Sequence, residues 1–148
     1  MSSQDNAQAA RRLLNAAFSC GDFAVIDEIA APDCIEHQEG SEATGPEAVR
    51  RSAAGLRASF PDLELRVDDI AAHRDMVWVR VRARGTDTGG VGGRPASGRN
   101  IEADVIDVMR FHEGKMVEHW GVADRLSMLR LFRVVPRHEQ PQPEQRAA

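Results

Sequence analysis

The chain has 148 residues, which is the length of one ordinary domain. Hydrophobic residues make up 42% and charged residues 28%, a globular composition that excludes a natively disordered chain. The net charge of −4 disfavours binding to nucleic acid through clustered positive charge. No apolar run approaches the roughly 18 residues that span a bilayer, and no signal-peptide pattern is visible, so we expect a cytoplasmic protein without a membrane partner.

Two amphipathic segments near the N-terminus predict helices. Over residues 7–18, alanine, leucine and phenylalanine recur at helical spacing, with arginine and asparagine on the other face. A shorter helix is predicted over residues 23–30, before a proline that ends it. Residues 33–38 then predict a short strand that places Ile35 and His37 on one face.

A third helix has a clear start signal. Residues 44–47 read Thr-Gly-Pro-Glu, which is typical of a capping box with proline at the first helical position, and the predicted helix continues to Pro61. After it the apolar residues alternate, which predicts strands. These strands run from Leu63 to a turn at 73–75 and then over Met76–Gly85, Ile101–Phe111 and Lys115–Ala123, before a last short helix that Asp124 caps.

This order of elements predicts an α+β fold in which helices pack on one face of an antiparallel sheet. Residues 85–99 contain six glycines and little apolar content, which predicts a long mobile loop. Residues 133–148 are polar and rich in proline and glutamine, and we expect them to be disordered. The chain is therefore predicted to form one domain over residues 1–132, followed by this tail.

The register of the last predicted hairpin decides which side chains share a face. Its turn is either a three-residue loop, His112–Gly114, or a two-residue loop of Glu113 and Gly114. The two-residue loop leaves more charge beside the apolar row of the preceding strand. We prefer the three-residue loop, which pairs Phe111 with Lys115, because alternation must agree across paired strands when one face is buried.

In that register Asp107 and His119 lie nearly opposite each other on a face that, apart from Lys115 at the end of the loop, is otherwise apolar or small. An isolated carboxylate there is costly, so it needs a partner or keeps its proton. Both states suit acid–base catalysis, because a paired carboxylate polarises an imidazole base and a protonated acid donates to an oxyanion. The alternative is a structural pair that satisfies itself in the core. His37, which shares a face with Ile35, is a further candidate for the same site.

Other chemistries lack their motifs. No Cys-x-x-Cys or His-Glu-x-x-His spacing is present, so we expect no metal. No phosphate-binding glycine loop opens a helix, and no Gly-x-Ser-x-Gly elbow occurs, so neither a nucleotide cofactor nor a serine hydrolase is indicated.

Several motifs, in order along the chain, resemble those of one known family. They are Gly45–Val49, Phe60–Asp62, Gly85–Gly89, Arg94–Arg99, Asp107–Phe111, Glu113–Lys115, Glu118–Trp120 and Asp124–Leu126. Over about residues 8–132 the chain thus resembles the SnoaL-like polyketide cyclases of the NTF2-like superfamily. The resemblance implies a cone-shaped α+β barrel, in which a curved sheet wraps around N-terminal helices. It also implies a cofactor-free homodimer with a dry pocket for a hydrophobic small molecule.

The function implied by this resemblance is acid–base catalysis in polyketide metabolism and antibiotic biosynthesis. Such an enzyme closes a ring by intramolecular aldol condensation, or isomerises a polycyclic substrate. We assign Asp107, His119 and His37 as catalytic, with either histidine as the base and the aspartate orienting it or stabilising the enolate. The side chains expected to bind substrate are Phe18, Val79, Val105, Met109 and Trp120.

Two alternatives remain open. Some members of the family act in the hydroxylation of anthracyclines, so a hydroxylation component is possible. A non-catalytic protein that binds a hydrophobic ligand is favoured by the absence of tyrosine and by Gly121, which stands where many relatives carry aspartate.

Overall fold

The computed structural model describes residues 1–38 and 41–132, so the predicted tail at 133–148 lies outside the described residues. The helices are α1 (Ser3–Arg12), α2 (Ala24–Ile29), α3 (Pro46–Ser59) and α4 (Arg125–Leu131), and a π-helical segment, Leu13–Ser19, continues α1. The strands are β1 (Ala30–Gln38), β2 (Ser41–Thr44), β3 (Glu64–His73), β4 (Met76–Thr86), β5 (Asn100–His112) and β6 (Lys115–Ala123). None of the described helices has both the length and the apolar character needed to cross a membrane.

The six strands form one sheet in the order β2-β1-β6-β5-β4-β3. Strand β1 is parallel to β6, whereas all other neighbours are antiparallel. The expectation of a purely antiparallel sheet is therefore wrong, and β2 is an additional strand. Parallel neighbours need a long crossover, and no local pattern shows which distant strand β1 will join. This parallel pair matters for function, because it places the side chains of β1 beside those of β6.

The first helix begins earlier than predicted and changes its winding. Ser2 and Asp5 form a capping box at its start. Further on the chain winds as a π-helix, where the N–H of Cys20 donates to the carbonyl of Asn15 at 3.1 Å. The apolar side chains of this segment are buried: Leu13, Leu14, Ala17 and Phe18. Since α1 packs against β3 and β4 and the π-helical segment against β3, these side chains join the core under the sheet.

Helix α3 confirms the predicted helix but not its capping box. Gly45 is the N-cap, and no side chain caps the helix. The backbone of Gly45 has φ 84°, a conformation that favours glycine, and its N–H donates to the carbonyl of Cys34 at 2.8 Å. The glycine thus turns the chain from β2 into α3, which then packs against β1.

The β5–β6 hairpin corrects the predicted register. His112 pairs with Lys115 across a two-residue turn, in which Glu113 and Gly114 have φ 47° and 79°. The three-residue turn is therefore wrong. A bulge then leaves Val117 as an extra residue in β6. This extra residue shifts the alternation of the positions after it, so that those predicted to point inward do so despite the shorter turn. Alternation alone favours the wrong turn because it does not reveal the bulge.

The glycine-rich loop after β4 is anchored around Asp87. This side chain is buried, and its carboxylate accepts hydrogen bonds from the N–H of Gly90 and from the N–H and hydroxyl of Ser97. The N–H of Gly89 donates to the carbonyl of Ser59 at the end of α3. A long loop is thus confirmed between β4 and β5, with a polar centre that its composition did not reveal. Its mobility stays a prediction.

Candidate active site

Three buried polar side chains meet on the inner face of the sheet. His119 lies between two carboxylates, with Nδ1 at 2.8 Å from Oε2 of Glu36 and Nε2 at 3.0 Å from Oδ1 of Asp107. Only 2% of Glu36, 5% of Asp107 and 1% of His119 is exposed. Charged groups at this depth are tolerated only with partners, so the three act as one coupled group. We call this group the triad.

Each member of the triad comes from a different strand. The parallel pairing of β1 with β6 sets Glu36 directly beside His119. Across the β5–β6 hairpin, Asp107 stands opposite Gly121, and His119 stands opposite Met109. Asp107 therefore reaches His119 along a diagonal, not from the facing position that the predicted register implies. The residue that does face Asp107 is a glycine, which extends no side chain over the carboxylate.

Apolar side chains surround the triad. The ring of Phe18 meets the ring of the triad histidine edge-on, with centroids 6.2 Å apart at an interplanar angle of 69°. Val79 pairs with the triad aspartate from β4 and is fully buried, as is Met109. Val105 is half-buried two residues before the aspartate, on the same face of β5. These residues from the expected substrate-binding set lie on the triad's side of the sheet.

The charge state of His119 follows from its two partners. Burial lowers the pKa of His119, but hydrogen bonds to Asp107 and Glu36 and the charges of both outweigh burial and raise the pKa to about 10. At neutral pH the ring is therefore an imidazolium that donates from both nitrogens. An imidazolium has no free lone pair, so this state disfavours the expected use of His119 as a general base.

Asp107 uses its two carboxylate oxygens differently. In the described part of the chain the one hydrogen-bond partner of this carboxylate is His119, which donates to Oδ1. The side chain keeps 8% of its surface exposed, compared with 2% for the side chain of Glu36. Oδ2 is thus the carboxylate oxygen of Asp107 that makes no hydrogen bond to the described residues.

His37 and Trp120 lie on the opposite face of the sheet. They are partners in the β1–β6 pairing, and their rings stack with centroids 4.6 Å apart at an angle of 1°. Nε2 of His37 lies 3.1 Å from Oε2 of Glu118, also on that face. Successive residues of a strand point to opposite faces, so the positions next to Glu36 and His119 point away from the triad. The structure therefore does not bring His37 and Trp120 together with Asp107 and His119, as their assignment to one site requires.

Glu36 is a site residue that the sequence pattern did not reveal. The apolar character of Ile35 favours an inward face shared with His37. In the structure the inward positions are Cys34, with no exposed surface, and Glu36. Cysteine is among the residue types most often buried. Because Cys34 and Glu36 are two residues apart on β1 and share a face, the expected burial of the cysteine could have predicted that the glutamate points inward.

The described part of the chain offers no metal centre. It contains no group of three His, Cys, Asp or Glu side chains arranged to hold a metal ion. Within the triad, both ring nitrogens of His119 are engaged by carboxylates. That the protein works without a metal or cofactor stays a prediction.

Comparison with known proteins assigns the family. The family model described as SnoaL-like polyketide cyclase matches residues 8–131. Aklanonic acid methyl ester cyclase DauD from Streptomyces sp. strain C5 is 29% identical over 108 residues, which are 72% of this chain and 65% of that protein. Aklanonic acid methyl ester cyclase DnrD from Streptomyces peucetius is 30% identical over 101 residues, 67% of this chain and 68% of that protein. The chain thus matches slightly less than two thirds of the length of DauD.

A solved structure shows the same fold. AclR from Streptomyces galilaeus, a proposed hydroxylase, aligns with a TM-score of 0.79 and 27% identity, covering 91% of this chain and 100% of its own. The predicted NTF2-like α+β fold, with N-terminal helices packed on a curved sheet, is confirmed, and the sheet is mixed. This chain belongs to the SnoaL-like polyketide cyclase family.

Proposed function

We propose that this protein is a polyketide cyclase that closes a ring of a hydrophobic, polycyclic substrate by intramolecular aldol condensation. The observation that carries the proposal is the buried carboxylate of Asp107, whose Oδ1 contacts the ring of His119 at 3.0 Å and whose Oδ2 makes no hydrogen bond to the described residues. A carboxylate in such a place can accept a proton from carbon and return it to oxygen without any other group.

The steps balance with Asp107 alone as the proton carrier. Oδ2 removes a proton from the carbon next to a substrate carbonyl, which leaves an enolate and a neutral carboxylic acid. The enolate carbon then attacks a ketone of the same molecule, forming the new carbon–carbon bond and an alkoxide. The acid returns its proton to that alkoxide, so the carboxylate is regenerated and the mass of the substrate does not change.

His119 supports these steps by its charge and not by taking the proton. Its imidazolium donates to Oδ1 and fixes the orientation of the carboxylate. The apolar side chains of Phe18, Val79 and Met109 keep the reacting region dry, which strengthens this interaction. The proposal therefore replaces a histidine base with a carboxylate base oriented by a histidine.

Aklanonic acid methyl ester, the compound in the names of two curated relatives, is the first substrate to test. The purified protein is incubated with it without cofactor and with a chelator, and the product is followed by chromatography and mass spectrometry. We expect a new compound of unchanged mass. Asp107→Asn should lower its rate of formation by about a hundredfold or more, the range of general acid–base catalysis.

The matched control is Asp104→Asn on the outer face of the same strand, where Asp104 is exposed and paired with Arg82 at 3.0 Å. This variant should keep the parent rate. Full activity of Asp107→Asn would rule out the proposed role of the carboxylate.

Hydroxylation is a second candidate, and the similarity to AclR favours it. A hydroxylated product gains the mass of one oxygen atom and requires an oxidant from another component, so mass spectrometry separates the two reactions. A binding protein without activity is the third candidate. It would hold the ester without yielding any product on prolonged incubation.

A homodimer through the outer face of the sheet is part of this proposal. Trp78, Ile106 and Val122 lie on adjacent strands of that face and expose 41%, 41% and 64% of their surface. Beside them, Arg80 and Arg82 are already ion-paired to acidic side chains of the same monomer. An apolar centre with a charged rim is typical of a protein interface, so a second copy is the expected partner. That the enzyme works in the cytoplasm stays a prediction.

A further inference from the structure

We propose that Glu36 is a positioning residue, which keeps a proton on Nδ1 of His119 so that the ring donates to Oδ1 of Asp107 and directs Oδ2 at the substrate. The kinetic part of this inference rests on the proposed function. The part that concerns the proton on His119 does not, because it can be measured without a substrate.

The geometry of β1 supports this role. Glu36 is the direct partner of His119 in the parallel β1–β6 ladder, so its place is fixed by the backbone of both strands. Its Oε2 lies 2.8 Å from Nδ1, slightly closer than Asp107 lies to Nε2. With 2% of the residue exposed, water cannot replace this contact at low cost.

Two carboxylates hold the proton at this depth. Burial favours a neutral ring, and each carboxylate opposes this by a hydrogen bond and by its charge. The ring is approached by Glu36 from β1, Asp107 from β5 and the apolar Phe18 from the π-helical segment. Cys34, next inward on β1, is a thiol whose pKa burial and the charges of Glu36 and Asp33 raise to about 11, so it stays neutral below that pH.

Loss of the Glu36 charge should not unfold the protein. With all three groups ionised, the triad holds one positive and two negative charges, a net charge of −1. Glu36→Gln makes this balance neutral and keeps the shape of the side chain. The amide oxygen of glutamine can still accept from Nδ1, so the contact survives while one of the two countercharges disappears.

The experiment is a titration of His119 in the full chain by nitrogen and proton NMR of labelled histidine. In the parent, the ring should stay protonated on both nitrogens up to about pH 9. In Glu36→Gln, we expect the titration midpoint to fall by at least about one pH unit, the usual effect of one adjacent opposite charge. An unchanged midpoint would overturn the inference.

The matched control is Glu118→Gln. Glu118 also contacts a histidine, at 3.1 Å from Nε2 of His37, and it is paired with Arg110, but both contacts lie on the outer face. This variant should leave the titration of His119 unchanged. A shift of His119 in the control as large as that in Glu36→Gln would show that any loss of charge in the sheet has this effect, and would also overturn the inference.

Kinetics with aklanonic acid methyl ester separate positioning from a structural role. In Glu36→Gln, kcat should fall by about tenfold or more above the new titration midpoint and recover below it, while KM changes little and the protein stays folded at the assay temperature. An unshifted pH profile of kcat would overturn the positioning role. If the parent forms no product while the NMR midpoint still shifts, the proposed function fails and the proton assignment stands.

Discussion

Asp107 and His119 are hydrogen-bonded along a diagonal of the β5–β6 hairpin, at 3.0 Å, and are not facing partners. The cause is the bulge at Val117, which adds one residue to β6 and sets the register of all later pairs. The position that faces Asp107 is left to Gly121. The bulge therefore decides that His119 binds the carboxylate of Asp107 and that the residue facing this carboxylate is a glycine without a side chain.

The triad makes the free energy of unfolding depend on pH above neutrality. The pKa of His119 is about 10 in the fold and ordinarily 6.5, so between these values the folded chain holds a proton that the unfolded chain releases. The stabilisation is complete below pH 6.5 and is lost as the pH rises towards 10. Urea unfolding at a series of pH values should show a decline of at most about 1.4 kcal/mol per pH unit from this group.

Two variants test the source of that slope. His119→Gln should flatten it between pH 6.5 and 9, whereas His112→Gln, at the exposed last position of β5, should keep it. Cys34 adds a decline of the same sign only above its ordinary pKa of 9.0. If the free energy of unfolding of the parent stays constant between pH 6.5 and 9, His119 is not held as an imidazolium by the two carboxylates.

The outer face of the sheet predicts a change of oligomeric state on substitution. Val122→Glu places a charge in the most exposed apolar position of that face, where a partner would have to bury it without a countercharge. We expect the parent to behave as a dimer and this variant as a monomer in size-exclusion chromatography with light scattering. Leu56→Glu is the control, because Leu56 is also exposed but lies on α3. A parent that elutes as a monomer would contradict the proposed interface.

Local patterns predicted most of the fold. Strand β6 spans Lys115–Ala123 as its alternation predicts, and α3 starts at the proline that its motif indicates. The pairing of Asp107 with His119 was also predictable, because two polar residues stood out on one apolar face. The bulge and the parallel β1–β6 pair were not, since alternation does not show an extra residue within a hairpin and no local pattern shows which distant strand β1 joins. Glu36 was missed because the apolar Ile35 favours the opposite face of β1 as the inner one.

Two glycines should respond in opposite ways to substitution by alanine. A Cβ at Gly89 would overlap the carbonyl oxygen of Ala58, which belongs to the backbone and cannot move aside. Gly89→Ala should therefore detach the loop from α3, break the hydrogen bond to Ser59 and cost about 1–3 kcal/mol. Gly55 lies within α3, and a Cβ there would meet no atom within 4 Å, so Gly55→Ala should stabilise the protein by about 0.5–1 kcal/mol.

Chemical denaturation of the two variants beside the parent measures both effects. The comparison separates two effects on the free energy of unfolding: the gain from alanine within a helix and the loss from a clash between the loop and α3. A Gly89→Ala variant as stable as the parent would show that the loop can leave α3 at no cost.

Asp87 predicts an acid-sensitive contribution from the loop. Burial raises the pKa of this carboxyl, but hydrogen bonds from Ser97 and Gly90 outweigh burial and hold the pKa below its ordinary value of 3.8. Asp87→Asn places an amide N–H₂ against at least one of these donors, which should cost about 1–3 kcal/mol at neutral pH. Because the folded pKa is lowered, this stabilisation is complete above about pH 4 and is lost as the pH falls through the folded pKa.

The loss from Asp87→Asn should therefore be constant from pH 5 to 7 and shrink below pH 4 in urea unfolding. Asp69→Asn is the control, because the side chain of Asp69 is 73% exposed and makes a surface ion pair with Arg80. Such pairs contribute little, so this variant should stay within about 1 kcal/mol of the parent at every pH. A buried donor that loses its acceptor costs free energy, whereas an exposed donor can bond to water instead. Equal losses of stability in Asp87→Asn and Asp69→Asn would therefore contradict a buried carboxylate that organises the loop.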